Sequence, residues 1–314
     1  MRMRGANMTR KIGVIGMGNV GATVAHYIVA NGFADELVLI DKREEKVQAD
    51  ALDFEDAMAN LTAHTDITVN DYSALKDADV IISAVGNIKL QDNDNDDRFA
   101  ELPFTREAVR DVASQIKASG FNGKIVVITN PVDVITSIYQ QVTGLPKKHV
   151  IGTGTLLDSA RMKRAVAQRL HIDPRSVDGY SLGEHGNSQF TAWSTVRVLG
   201  KPITEIATEK HLNLEELDDE ARRGGYTVFY GKKYTNYGVA TAAVRLANVI
   251  MSDAQTELPV SNYREELGTY LSYPAIVGRD GIQEQVQLEL TDEELEKLNI
   301  SATTIKTKFA ESQA

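Results

Sequence analysis

The chain has 314 residues, room for one large domain or two at roughly 150 residues each. Hydrophobic residues make up 42% and charged residues 25%, which excludes a disordered, fibrous or disulfide-dense chain; the lack of cysteine removes disulfides, thiolate metal sites and cysteine nucleophiles and fits a reducing cytoplasm. With 34 basic against 44 acidic residues the net charge is −10, which sets nucleic acid at a disadvantage as a partner.

Residues 1–10 read as a disordered leader: Met1–Met8 is basic but no apolar stretch follows it, and no run in the chain approaches the roughly 20 apolar residues of a membrane span. Then come short runs rich in Val and Ile, at Lys11–Gly16, Glu36–Asp41, Ile67–Asn70, Val80–Gly86 and Lys124–Asn130, each closed by Gly, Asp or Asn. They read as buried strands. Helical patterns lie between them at Gly18–Asn31, Arg43–Leu61, Glu101–Ser119 and Val132–Val142. Such alternation predicts an α/β fold with a doubly wound parallel sheet and ligands at the carboxyl ends of its strands. The acidic run Asp92–Asp97 reads as an exposed loop.

The pattern changes near Gly152. A helix is expected over Thr155–Leu170, strands over Val177–Leu182 and Phe190–Leu199, and helices over Leu214–Gly224 and Thr235–Ala254. Strands follow at Glu257–Tyr263, Tyr270–Val277 and Val286–Leu290, then a closing helix from Asp292. This order is α+β, so two domains are expected, 11–151 and 152–314.

Gly16-Met17-Gly18-Asn19-Val20-Gly21 ends the first strand and opens a helix. In that context the first glycine permits the turn, the second lets backbone N–H groups reach a pyrophosphate, and the third allows close helix–strand packing. The alternative is a strand-to-helix turn that binds nothing. Asp41 ends the second strand, twenty residues after Gly21, where a carboxylate accepts from a ribose 2′-hydroxyl and repels a 2′-phosphate. NAD is therefore expected over NADP, in a Rossmann-type domain. Lys42 and Arg43 beside it are cations that soften this discrimination, or solvated helix-start residues.

Four further segments carry polar residues that make little sense as core. Asn130 follows the fifth strand, where its amide can meet a substrate oxygen or cap the next helix. Asp158 and Arg161 share one helix face at a spacing that usually makes a surface ion pair. His185 sits between glycines after a strand, in Gly183-Glu184-His185-Gly186, where a buried carboxylate such as Asp158 can hold its ring in an acid/base role. Arg98 ends the acidic loop, a solvated charge unless that loop closes over an anion.

In this order the glycine turn, Asp41, Arg98, Asn130-Pro131-Val132-Asp133, Leu157-Asp158-Ser159-Ala160-Arg161 and Gly183-Glu184-His185-Gly186 resemble the lactate/malate dehydrogenase family over nearly the whole chain. The resemblance implies reversible NAD-dependent oxidation of an L-2-hydroxy acid to its 2-oxo acid, with no metal. It implies His185 as acid/base, Asp158 as its orienting partner, Arg161 as the fork for the substrate carboxylate and Arg98 as the polarising cation of a closing loop. It further implies Asn130 and Thr235 at the substrate, with Gly86, Asn130 and Val239 at the cofactor alongside the glycine turn. A homo-oligomer, favoured as a tetramer, working in the cytoplasm is also implied.

Malate enzymes of this family carry a second arginine early in the mobile loop, but no arginine lies between Gly86 and Arg98. The loop is longer than in lactate enzymes, and Gly224-Gly225 precedes Tyr226 where the resemblance places a substrate wall. Both features resemble the L-2-hydroxyisocaproate dehydrogenases of the family and imply a branched or bulky apolar side chain. Gly225 is then expected to open pocket volume, the alternative being a helix break. Lactate is the next reading and malate a lower one. An NAD- and metal-dependent glycosidase, which resembles the family in its dinucleotide domain, lacks its cysteine ligand here. At the positions where related lactate enzymes bind fructose 1,6-bisphosphate stand Lys163 and Asp178, and the aspartate opposes a phosphate.

Overall fold

The computed structural model describes residues 9–91 and 97–313. Of the leader expected over residues 1–10, Met1–Met8 lie outside the described residues, as do residues 92–96 of the acidic run, while Arg10 is tied to Asp35 through its backbone N–H and its guanidinium, each at 2.7 Å. The Val/Ile runs form the strands expected of them. β1 (Lys11–Ile15), α1 (Asn19–Ala30), β2 (Glu36–Ile40), α2 (Glu44–Met58), β3 (Asp66–Val69), β4 (Val80–Ser83), α3 (Leu102–Ser119), β5 (Lys124–Val127) and α4 (Val132–Thr143) alternate in order. A sixth short strand, β6 (Val150–Gly152), was not legible as one because three residues carry no periodicity. These six strands run parallel in the order β3-β2-β1-β4-β5-β6. That is the doubly wound arrangement, and its switch point lies between β1 and β4, the crevice where ligands bind.

The remaining elements are α5 (Leu156–Leu170), β7 (Val177–Asp178), β8 (Ser181–Leu182), β9 (Phe190–Thr191), β10 (Arg197–Val198), β11 (Lys201–Pro202), α6 (Ile203–Lys210), α7 (Leu214–Lys232), α8 (Tyr237–Ser252), β12 (Thr256–Arg264), β13 (Thr269–Gly278), β14 (Gly281–Gln285) and α9 (Asp292–Glu311). β12, β13 and β14 extend the same sheet in antiparallel pairing. The join is at Ser261, which pairs with Gly152 of β6, so nine strands form one sheet and the expected boundary after residue 151 falls inside β6.

Several expected elements are corrected. Val177–Leu182 is two short strands, because Gly179 turns the chain at φ +116 and packs against Val196, where a side chain would clash. Phe190–Leu199 is broken at Trp193–Thr195, where Glu294 of α9 accepts from Ser194 N–H at 3.1 Å and from its hydroxyl at 2.6 Å. Val286–Leu290 is not a strand. The ladder with β13 ends at Gln285 opposite Ala275, and the next residue, Pro274, accepts from Val286 but has no N–H to return. The helix expected to stop at Gly224 runs on to Lys232.

Two apolar layers cover the sheet. α1, α2 and α8 pack on one face through Val24, Ile28, Val47 and Leu246. α3, α4 and α9 pack on the other through Val109, Ile135, Ile138 and Ile305. A third cluster joins α5, α6 and α7. At the start of α8, Asn236 donates to Thr23 of α1 at 2.9 Å, tying the two halves beside the crevice. Among the described residues no helix is long and apolar enough to cross a membrane.

Candidate active site

A cleft of about 1310 Å³ opens along the carboxyl ends of β1, β4 and β5 and continues toward α5 and α7. It exceeds the roughly 300–1,000 Å³ of a typical ligand pocket and has room for a dinucleotide and a small substrate together. The glycine turn forms its floor. Gly16 has φ +92 and sits so close to the Ala84 backbone that a Cβ would lie 2.7 Å from it. Gly21 is buried in α1 against the Gly16 carbonyl, with no space for a side chain, and does not line the cleft. A Cβ built on Gly18 would meet nothing within 4 Å, so the second glycine faces open space at the N-terminus of α1 beside Asn19 and Val20. An uncrowded backbone at a helix N-terminus fits a bound pyrophosphate.

Asp41 lies at the edge of this space. Its Oδ2 accepts from Met17 N–H at 2.7 Å and its Oδ1 from Arg43 N–H at 2.9 Å. Burial pushes its pKa up, but the Arg43 hydrogen bonds and charge and the Met17 N–H outweigh that and hold it below the usual carboxylate range. An ionised carboxylate aimed at the sugar end of the cleft fits a ribose diol.

At the other end one carboxylate organises two functional groups. Asp158 lies in the first turn of α5, 4% exposed. Its Oδ2 meets His185 Nδ1 at 2.6 Å and its Oδ1 accepts from Arg161 Nη1 at 2.8 Å. Burial favours the neutral acid, yet the charges on His185, Arg161 and Arg98, with the His185 hydrogen bond, hold Asp158 well below the usual range. An ionised carboxylate only accepts, so Nδ1 carries a hydrogen and Nε2 is left for chemistry. Asp158 and Arg161 are thus no solvated surface pair: with His185 they form a triad around a buried carboxylate. Arg98, Asn130, Thr235, Val239, Gly86 and Gly225 also line the cleft, so the fold brings together every expected site residue except Gly21.

The segment holding His185 is built from residues whose role was not legible in the sequence. Asp133, at the start of α4, is buried and accepts the His185 backbone N–H at 2.9 Å and the Ser261 hydroxyl at 2.5 Å. Burial pushes its carboxyl up to about 7. Buried Glu184 accepts from Ser188 N–H at 3.0 Å, and Ser301 of α9 donates to the Ser188 carbonyl at 2.6 Å. At the base of the segment that carries Arg98, buried Glu101 accepts the Asn87 backbone N–H. A Cβ on Gly86 would lie 2.7 Å from that carboxylate.

The wall contributed by α7 differs from expectation. Gly224 and Gly225 do not break the helix, and the space they leave is taken by arginines: a Cβ at Gly225 would lie 3.2 Å from Arg161 Cζ, and one at Gly224 would collide with the Arg164 guanidinium. Gly225 therefore seats Arg161 instead of leaving volume for a substrate side chain. Tyr226, Phe229 and Tyr230 line the cleft from the next turns. Arg222, also at the cleft, is bound to Asp218 at 3.1 Å and to the Gln189 carbonyl at 2.8 Å.

Residues 10–152 match the family model described as lactate/malate dehydrogenase, NAD binding domain, and residues 155–314 match its alpha/beta C-terminal domain. L-lactate dehydrogenase 1 of Bifidobacterium longum is 37% identical, covering 94% of this chain and 96% of the relative. L-lactate dehydrogenase 2 of Listeria monocytogenes is 35% identical, covering 96% and 98%. Among solved structures, the ligand-bound minor L-lactate dehydrogenase of Enterococcus mundtii superposes with a TM-score of 0.90 at 35% identity, covering 96% of this chain and 98% of that one. A lactate dehydrogenase from a Medee basin deep-sea metagenome library superposes at 0.91 and 32% identity, covering 98% and 100%. With both halves matched in order and the fold shared from end to end, the chain belongs to the lactate/malate dehydrogenase family and takes NAD as its cofactor.

Proposed function

We propose that this enzyme, an NAD-dependent 2-hydroxy acid dehydrogenase by family, interconverts an L-2-hydroxy acid and its 2-oxo acid with a branched or bulky apolar side chain. Residues 11–151 hold the cofactor, and 152–314 supply most of the groups that meet substrate. The observation that carries the reaction type is the Asp158 carboxylate, shared between His185 at 2.6 Å and Arg161 at 2.8 Å. When bound, the cofactor supplies the hydride as NADH or accepts it as NAD. His185 Nε2 gives a proton to the 2-oxo oxygen in reduction and takes the hydroxyl proton in oxidation. Asp158 fixes the ring and stabilises its cationic form. Arg161 holds the substrate carboxylate in a planar fork, Arg98 polarises the carbonyl, and Asn130 and Thr235 complete the polar lining.

The side-chain preference rests on the wall and the cations. Tyr226, Phe229 and Tyr230 present aromatic surface. A second substrate carboxylate needs a cation; Arg222 is already committed to Asp218 and Gln189, and Lys89, which also lines the cleft, offers a single point charge in place of a planar fork. L-lactate is the second reading, favoured by the names of the similar proteins. A screen of kcat/KM with NADH across 2-oxo-4-methylpentanoate, pyruvate and oxaloacetate separates them. The branched acid is expected to lead, since each fitted methylene contributes about 1–3 kcal/mol. A pyruvate value about tenfold above it, equivalent to roughly 1.4 kcal/mol, establishes the lactate reading instead.

A further inference from the structure

The strongest feature outside the catalytic triad is the hold of Arg43 on Asp41. A carboxylate offers about four lone-pair sites, and Asp41 has four donors on it. Two are backbone N–H groups, from Met17 and Arg43. The other two belong to the Arg43 guanidinium, with Nε on Oδ1 at 3.0 Å and Nη2 on Oδ2 at 3.1 Å. Nη2 also reaches the Met17 carbonyl at 3.1 Å. Asp41 is 7% exposed, whereas the Arg43 side chain is 53% exposed and lines the cleft. A ribose hydroxyl that donates to Asp41 must therefore displace this fork.

From the saturated carboxylate and the exposed fork upon it, we propose that Arg43 sets cofactor choice. Swung off Asp41, it receives a 2′-phosphate, so the chain binds NADPH as well as NADH, with NADH the tighter. The proposal rests on the dinucleotide reading of the cleft. Its physical basis is charge and geometry. The Asp41–Arg43 pair is neutral, so the carboxylate no longer stands alone against a phosphate. Lys42 adds a further cation at the cleft, while Lys46 there is paired with Asp50. A guanidinium on a half-exposed stem can pivot, and its planar fork matches a phosphate. NADH keeps its advantage because the Met17 and Arg43 N–H groups hold the Asp41 charge in place whichever way the guanidinium points.

The test is direct binding, with no turnover required. Dissociation constants for NADH and NADPH are measured by nucleotide fluorescence for the unmodified chain, Arg43→Ala and Arg43→Lys. Removing the fork frees two lone-pair sites for the ribose and removes the phosphate's partner. In Arg43→Ala the NADPH-to-NADH ratio of dissociation constants is therefore expected to rise about tenfold or more, with Arg43→Lys between the two. Added salt is expected to weaken NADPH more than NADH in the unmodified chain, and less selectively in Arg43→Ala. A ratio that stays within about twofold in both variants, while NADH still binds, overturns the proposal, because a purely structural Arg43 moves both constants together. If Arg43→Ala does not fold, the Arg43→Lys ratio decides by the same criterion. If NADH does not bind the unmodified chain, it is the dinucleotide reading that fails.

Discussion

The Asp133 carboxylate accepts the backbone N–H of His185 at 2.9 Å, fastening the start of α4 in the first half to the His185 segment of the second. Asp133→Ala leaves that half-buried N–H without its partner and is expected to cost about 1–3 kcal/mol of stability and to lower kcat by loosening His185. Asp133→Asn keeps an acceptor for the N–H and is expected to retain most of the activity. Melting temperature and steady-state rates on the two variants check the contrast; equal losses would show that the hydrogen bond is not what matters.

The same group makes a pH prediction. Burial, with the nearby Glu184 charge, outweighs the Ser261 and His185 hydrogen bonds and pushes Asp133 up to about 7. The unfolded chain releases this proton near the ordinary value of about 4. Between those limits the folded state holds more protons, so this contribution is full below about 4 and is lost as pH rises to about 7. Urea midpoints of the native chain and Asp133→Asn, compared across that window, are expected to move in the variant's favour as pH rises. A constant offset would show that the carboxyl ionises normally.

Because Asp158 serves both His185 and Arg161, its replacement is expected to damage two parameters. Asp158→Asn should lower kcat by about a hundredfold or more, the scale of lost general acid–base catalysis, and also raise KM for the 2-oxo acid through a displaced Arg161. His185→Ala should remove turnover while NADH binding, measured by fluorescence, stays close to that of the native chain. Turnover that survives in His185→Ala refutes its acid/base role.

Gly225→Val places carbon against the Arg161 guanidinium, 3.2 Å from Cζ at its Cβ alone. KM is therefore expected to rise alike for pyruvate and 2-oxo-4-methylpentanoate, since both present a carboxylate to Arg161. A loss confined to the branched acid would return Gly225 to the role expected from the sequence, that of opening side-chain volume.

Lys163 is half-buried, its pKa pushed down by burial with the Asp178 charge opposing that shift. A carboxylate beside the ammonium disfavours a bisphosphate there. Adding fructose 1,6-bisphosphate is expected to leave the substrate KM unchanged; a marked drop in KM would contradict this.

What the sequence made legible was local. The glycine turn and Asp41 announce themselves because turn, helix start and strand end lie within one βαβ unit. Asp133 does not, for it reads as an ordinary first-turn acid of α4, while its partner Ser261 lies 128 residues away. The glycines of α7 look like a stop signal until the arginines of α5 occupy the space above them. Arg43 was visible as a cation beside Asp41, but only the folded turn shows that it covers both carboxylate oxygens.

The pairing of Ser261 with Gly152 bears on how the protein can be divided. Cutting the chain after residue 151 severs β6 and strips β5 and β12 of a neighbour, exposing backbone donors and acceptors that invite pairing with other molecules. α8 would also be removed from its seat on α1. Fragments made at that point are expected to clump, and the intact chain to melt in one transition, with the N-terminal and C-terminal halves losing their structure together.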